Sequence, residues 1–280
     1  MKHILIFIFI STNFLVYSQE INLSKEFLWP ENENMNSALI EKFIDLTPQE
    51  FQNYRLNEPY SLTISDLTKA LHIIDLNNDG LDDIIFDGLS GGEPRQISIF
   101  INNGHSFDKV FTDYQQISSL KFDQGVLSEI QIKDWACCDG FTETYRLYDV
   151  SYIKGAFKFI FIESFMYLDN TTLPEFYWTE RKKIKVLNDK YNIRFSPQID
   201  DSTEVYYDWR PTYGNTVGKL EKNTIACAIS ESTDLTGRIW FFVAIYPEYD
   251  IQESYLFNHK DEIRSYKCGW ISSRFVEIQE

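Results

Sequence analysis

Leu71-His72-Ile73-Ile74-Asp75-Leu76-Asn77-Asn78-Asp79-Gly80-Leu81-Asp82-Asp83-Ile84-Ile85-Phe86 sets one acidic turn between two apolar runs. Leu71 to Ile74 and Ile84 to Phe86 are short, rich in β-branched residues and bounded by turn formers, the pattern of strands. Between them, oxygen-bearing side chains recur at Asp75, Asn77, Asp79 and Asp83. Gly80 permits the tight turn that wraps a chain around an ion, and Leu81 can offer its backbone carbonyl. Calcium is a hard cation that gathers oxygen ligands, and this spacing presents five on one loop. Three carboxylates crowded here would repel one another without a cation. A helix-loop-helix calcium site needs Glu at the twelfth loop position. That position is Phe86, so the loop is expected to join two strands and to hold a structural Ca2+ through Asp75, Asn77, Asp79, Leu81 and Asp83. The alternative is a solvated acidic turn without an ion.

Outward from the loop, the β pattern continues in Ile97 to Ile101, Glu129 to Ile132 and Tyr145 to Tyr152. Short alternating runs broken by Gly, Asn and Asp predict hairpins. Residues 71–110 resemble the FG-GAP or VCBS repeat: an apolar strand, Asp-x-Asn-x-Asp-Gly-x-x-Asp, a second apolar strand, then a strand ending in Asn102-Asn103-Gly104. The resemblance implies calcium at the five oxygens. It does not imply a full propeller, for no repeat recurs at a fixed period.

Ahead of the loop, residues 37–56 read as two short helices, with Thr47 as N-cap and Pro48 at the first position of the second. Residues 1–18 read as a signal peptide. Lys2 and His3 open it, Ile4 to Ile10 is apolar, and Val16-Tyr17-Ser18 places acceptable residues before a cut at Gln19. No later stretch is apolar enough to span a bilayer. The expected location is therefore secreted or periplasmic.

The chain carries 26 Lys+Arg against 42 Asp+Glu, a formal charge of −16. That surface repels phosphate backbones and anionic lipid, so nucleic acid is excluded as an expected partner. Aromatic residues make up 16%, which favours half-buried pleated surfaces. Cys137, Cys138, Cys227 and Cys268 are the disulfide candidates, since an oxidising compartment with an even count suggests bridges. Cys227 and Cys268 are the pair expected within one barrel. Cys137 and Cys138 are adjacent, so they form either a strained vicinal bridge or two separate pairings. Their spacing does not fit a zinc site.

The polar segment 171–183, with Pro174, reads as a boundary between a β domain at 19–183 and a second one at 184–280. The second resembles the bacterial Src homology 3 domain. The matching residues are Tyr191-Asn192-Ile193-Arg194-Phe195-Ser196-Pro197, Val217-Gly218-Lys219-Leu220, a strand at Thr224 to Ile229, a Trp-led strand at Trp240 to Ile245, and Gly269-Trp270-Ile271-Ser272-Ser273-Arg274-Phe275-Val276. Ser196 stands where that family has Gly, and residues 198–216 and 246–267 exceed its usual loops. The resemblance implies a small five-stranded barrel that binds peptides or cell-wall stems. Tyr191, Trp240 and Trp270 are the candidate ligand-binding residues, as aromatics favour recognition surfaces. For the two tryptophans, barrel core is the competing reading.

His72, His105 and His259 are isolated in sequence. No Gly-x-Ser-x-Gly, His-Glu-x-x-His, phosphate loop or dinucleotide fingerprint occurs. The expectation is a mainly β, non-enzymatic binding protein, stabilised by calcium, whose partner is a peptide, peptidoglycan or an envelope protein. The alternatives are a periplasmic inhibitor or immunity-type protein, and a cell-wall hydrolase.

Overall fold

The structure, a computed structural model, describes residues 23, 27, 29, 37–46, 69–89, 95–134, 141–207, 210–256 and 265–279. The expected signal peptide, the Thr47-Pro48 helix start, His259 and the pair Cys137 and Cys138 lie outside these residues.

The described chain is mainly β. Helix α1 (Ser37–Leu46) precedes an antiparallel four-stranded sheet, β1 (Leu71–Ile74), β2 (Asp83–Leu89), β3 (Arg95–Asn102) and β4 (Phe107–Asp113), paired in chain order. Both faces of this sheet are covered, so β2 reads as a near-continuous apolar run. Ile84, Phe86 and Phe100 face Ile40 and Phe43 of α1. Ile85, Ile97 and Ile99 face the opposite way, onto Ile117, Leu127, Ile130 and Val150.

Those last residues belong to a second meander: β5 (Gln116–Asp123), β6 (Val126–Asp134), β7 (Thr142–Ile153) and β8 (Ala156–Leu168). Two-residue turns close β5 to β6 and β7 to β8. Gln124 and Gly125 have φ of 50° and 85°, and Lys154 and Gly155 have 54° and 80°. Positive φ at both central residues matches the twist of the flanking strands.

The chain continues through β9 (Lys182–Val186), β10 (Tyr191–Arg194), the ribbon β11 (Glu204–Tyr207) and β12 (Arg210–Tyr213), β13 (Thr216–Leu220), β14 (Ile225–Thr233), β15 (Ile239–Ile245), β16 (Tyr266–Ser272), a 3-10 turn (Ser273–Phe275) and β17 (Val276–Ile278). The strand order is β17-β9-β14-β15-β16-β8-β7-β6-β5, with β10 paired to β13 and β16. This is one 11-stranded sheet, and among the described residues no sheet closes into a barrel. The closed small barrel expected for residues 184–280 is thus not seen among them. The reason lies in β16. Its edge beyond β15 is taken by β8, in parallel at Tyr266↔Phe165 and Lys267↔Met166, and by β10 at Arg194↔Trp270. The row continues where closure would need it to end.

The core crosses residue 184 in the same way. One cluster joins Met166 and Leu168 to Ile184, Val186, Val243 and Ile271. Another joins Tyr145, Phe165 and Tyr167 to Trp240, Phe242 and Trp270. Each such side chain, fully buried, contributes about 1.5–3 kcal/mol of hydrophobic stabilisation.

The expected Cys227–Cys268 bridge is not formed; both thiols are free and buried. Cys227 pairs with Ala244, and Ala244 pairs with Cys268 on its other side. A whole strand separates them, and two strand spacings of about 4.8 Å exceed the reach of a disulfide. Cys227 instead donates its thiol proton to Tyr246 Oη at 3.1 Å.

Candidate ligand cleft and Asp-rich loop

The loop between β1 and β2 is organised by its own carboxylates. Asp75 accepts from the backbone N–H of Gly80 at 2.9 Å and of Asp79 at 3.3 Å. Asn77 Oδ1 accepts from Asp79 N–H at 3.1 Å, and Asp79 Oδ1 from Leu81 N–H at 2.8 Å. Asn78 and Gly80 turn the chain with φ of 57° and 82°. Asp83 is fully buried, and its two oxygens accept from Leu76 N–H at 2.9 Å and Asn102 N–H at 2.8 Å. Burial, and then the charges of Asp79 and Asp75, push its pKa up to about 6.

The loop also bridges the two sheets. Leu76 is buried beneath it, its carbonyl accepts from Leu127 N–H at 2.8 Å, and Asn77 Nδ2 donates to Tyr152 Oη at 3.4 Å. The donor set is all oxygen, which suits a hard cation. Among the described residues, no three His, Cys, Asp or Glu groups converge on one point. Leu81 is exposed, and its N–H already serves Asp79.

The three aromatic candidates do not come together on an open surface. Trp240 is 1% exposed, and its indole N–H donates to Asp234 at 2.9 Å. Hydrogen bonds from Thr236 first, then from that indole, hold the Asp234 carboxyl well below the usual range. Trp270 is also 1% exposed and packs on Phe242, with ring centroids 5.1 Å apart. Both tryptophans are core, the second of the two readings their sequence allows. Tyr191 is half-buried, packs against Phe275 with the rings tilted by 37°, and accepts from Ser272 N–H at 3.2 Å.

Trp270 nevertheless forms the floor of a cleft of about 400 Å³. One wall is the segment joining β8 to β9, with Pro174, Glu175 and Phe176. The other is Glu231 to Thr233 at the end of β14, and Pro197 closes one side. The first wall is pinned at four points. Thr172 N–H donates to Phe195 O at 2.8 Å and Trp178 N–H to Ile229 O at 2.8 Å. Ser230 Oγ donates to Phe176 O, and the Trp270 indole to Thr172 O, both at 2.6 Å. Phe176 is 51% exposed. Two carboxylates, an exposed aromatic ring and two prolines make the lining acidic and partly apolar. Among the described residues its lining contains no His, Cys, Lys or Arg.

This cleft is not apparent from the sequence, where 171–183 reads as a polar boundary. The signal that could have found it is Leu173-Pro174-Glu175-Phe176-Tyr177-Trp178, an aromatic run inside a supposed linker.

Neither described histidine lines the cleft. His72 stacks flat on Trp29 with centroids 3.5 Å apart, and burial, then the Arg95 charge, bring its pKa down to about 4. His105 lies exposed in a turn, its backbone N–H bonded to Asn103 Oδ1 at 3.0 Å. Comparison with known proteins finds no match among protein-family models, curated proteins or solved structures.

Proposed function

We propose that the protein is a secreted or periplasmic binding protein without a catalytic centre, ordered by Ca2+ at residues 75–83, that takes a peptide or cell-wall component in the cleft over Trp270. The carrying observation is the lining itself. Glu175 and Glu231 stand over an apolar floor, and among the described residues no His or Cys joins the Ser232 and Thr233 hydroxyls in the lining. A volume near 400 Å³ suits a short peptide segment. The two carboxylates favour a segment bearing a free amine or guanidinium, as in an amine-bearing wall stem peptide.

The family reading of residues 184–280 draws support from five strands in a row, β17-β9-β14-β15-β16, with the 3-10 turn joining β16 to β17. That is the strand count the Src-homology-3 resemblance calls for.

The test is calorimetric titration of amine-bearing and N-acetylated wall stem peptides into the full chain, with calcium present. The amine-bearing peptide should bind, and Glu231→Gln should weaken it about fivefold, the worth of one exposed charge-assisted contact. Equal binding of both peptides by wild type and variant would remove the cleft from the account. Cleavage of the peptide, read by mass, would replace the binder with a hydrolase. Calcium-independent capture of one basic envelope protein, with no peptide bound, would favour the inhibitor.

A further inference from the structure

Strand β8 has two different halves. At Phe165 and Met166 it is flanked on both sides, by β7 and by β16. From Ala156 to Ser164 its partner is β7 alone, and among the described residues no backbone group bonds its other edge. Exposed edges are usually blunted by short length, charge or proline, because they template pairing. This one reads Phe157-Lys158-Phe159-Ile160-Phe161-Ile162. Ile160, Phe161 and Ile162 are 40%, 36% and 43% exposed, and Ile153 at the hairpin tip is 58% exposed.

The pairing with β7 fixes which way each side chain faces. Phe157, Phe159 and Phe161 oppose Tyr152, Val150 and Tyr148. These rings form a row with Phe111, whose centroid lies 4.5 Å from that of Phe159. Lys158 and Ile160 oppose Ser151 and Asp149 on the other face, and a bulge at Ile162 brings Glu163 to that face as well.

We propose that this edge pairs antiparallel with the same edge of a second copy, about a two-fold axis at Ile160. Closed symmetric dimers require a self-complementary patch, and side chains directly opposite must share a face. An axis at Ile160 meets both conditions. Ile160 meets its own counterpart, and Phe159 of each copy meets Phe161 of the other, extending the ring row across the junction. Lys158 falls opposite the bulged Ile162–Glu163 step of the other copy, where Glu163 already holds Arg181. Lys158 therefore meets an existing Arg181–Glu163 ion pair rather than a lone like charge. The charges are also locally balanced: residues 154–163 contain Lys154, Lys158 and Glu163, a net of +1 in a chain of −16. A strand pair of this length buries less than the roughly 1,200–2,000 Å² of a stable interface. The dimer is accordingly weak and concentration-dependent.

Sedimentation velocity of the full chain from micromolar to near-millimolar concentration tests this. Wild type should pass from monomer to dimer over that range. Ile160→Lys and Ile160→Glu each place like charges at the axis and should remain monomeric throughout. An equimolar mixture of the two sets Lys against Glu at that axis and should dimerise again. Ile160 faces solvent opposite Asp149, so Ile160→Glu should lower the thermal midpoint slightly and Ile160→Lys should not lower it; a cooperative melting transition in each variant serves as the folding control. Wild type that stays monomeric, variants that dimerise like wild type, or a mixture that stays monomeric each overturn the proposal. Association of wild type with a foreign strand peptide, without dimerisation, overturns it in favour of a different partner.

Discussion

His72 shows how one side chain writes a pH dependence into the fold. Its ring lies against Trp29, and burial, then Arg95, hold it neutral down to about pH 4. The unfolded chain takes up a proton at the ordinary value near 6.5. The folded pKa is depressed, so stability from His72 is complete above about pH 6.5 and is lost as the pH falls towards 4. With allowance for partial exposure, the loss is on the order of 2 kcal/mol. His72→Phe keeps a ring on Trp29 and removes the titration. Urea midpoints at pH 7 and pH 4.5 should therefore differ less for the variant than for wild type. Equal differences would assign the acid sensitivity to other groups. At the same scale, Trp240 and Trp270 explain why recognition residues were hard to read from sequence. A tryptophan in a strand looks identical whether its face is wet or packed, and here both indole N–H groups find partners inside the protein.

At the scale of elements, the sequence was most informative where local chemistry dictates local shape. The Asp-x-Asn-x-Asp-Gly loop joins two strands as its spacing predicts, because Asn78 and Gly80 carry the turn and the carboxylates cap the loop's own N–H groups. The strands on either side follow from their apolar runs. If calcium occupies this loop, millimolar calcium should raise stability by about 1 kcal/mol, close to 2 °C in a chain this size. Asp79→Ala removes a charge and the acceptor for Leu81 N–H. It should melt lower in all conditions and show no shift between calcium and chelator. The quantity to measure is that difference in thermal midpoint on the full chain. A wild type with no difference reduces the loop to an acidic turn. The segment 171–178 was illegible for the opposite reason. It has no periodicity, and its shape is set by four hydrogen bonds to residues 195, 229, 230 and 270, later in the chain.

For the molecule as a whole, the governing contact is the least visible one. Tyr266 and Lys267 meet Phe165 and Met166, about 100 residues earlier in the chain, over two pairs. Such a contact leaves no pattern in either segment, so a barrel of 97 residues was expected where an extended sheet occurs. The shared clusters around Tyr167 and Leu168 couple the two halves energetically. Calorimetry of the full chain should therefore give a single cooperative transition, with calorimetric and van't Hoff enthalpies equal. Residues 184–280 expressed alone should aggregate, because β16 loses β8 and both clusters lose their β8 members. Two separate transitions, or a soluble and folded 184–280 fragment, would show that the halves stand alone.

Strand β8 also has a consequence in time. Its amides at 165 and 166 lie among buried side chains, between β7 and β16, so they open only with the whole molecule. Those at 156–162 pair with β7 alone and lie at a half-exposed hairpin end, so local fraying is enough to release them. A single continuous strand thus carries two clocks, one set by global unfolding and one by the breathing of a hairpin end. Hydrogen–deuterium exchange would record a gradient of lifetimes along 13 residues of unbroken backbone.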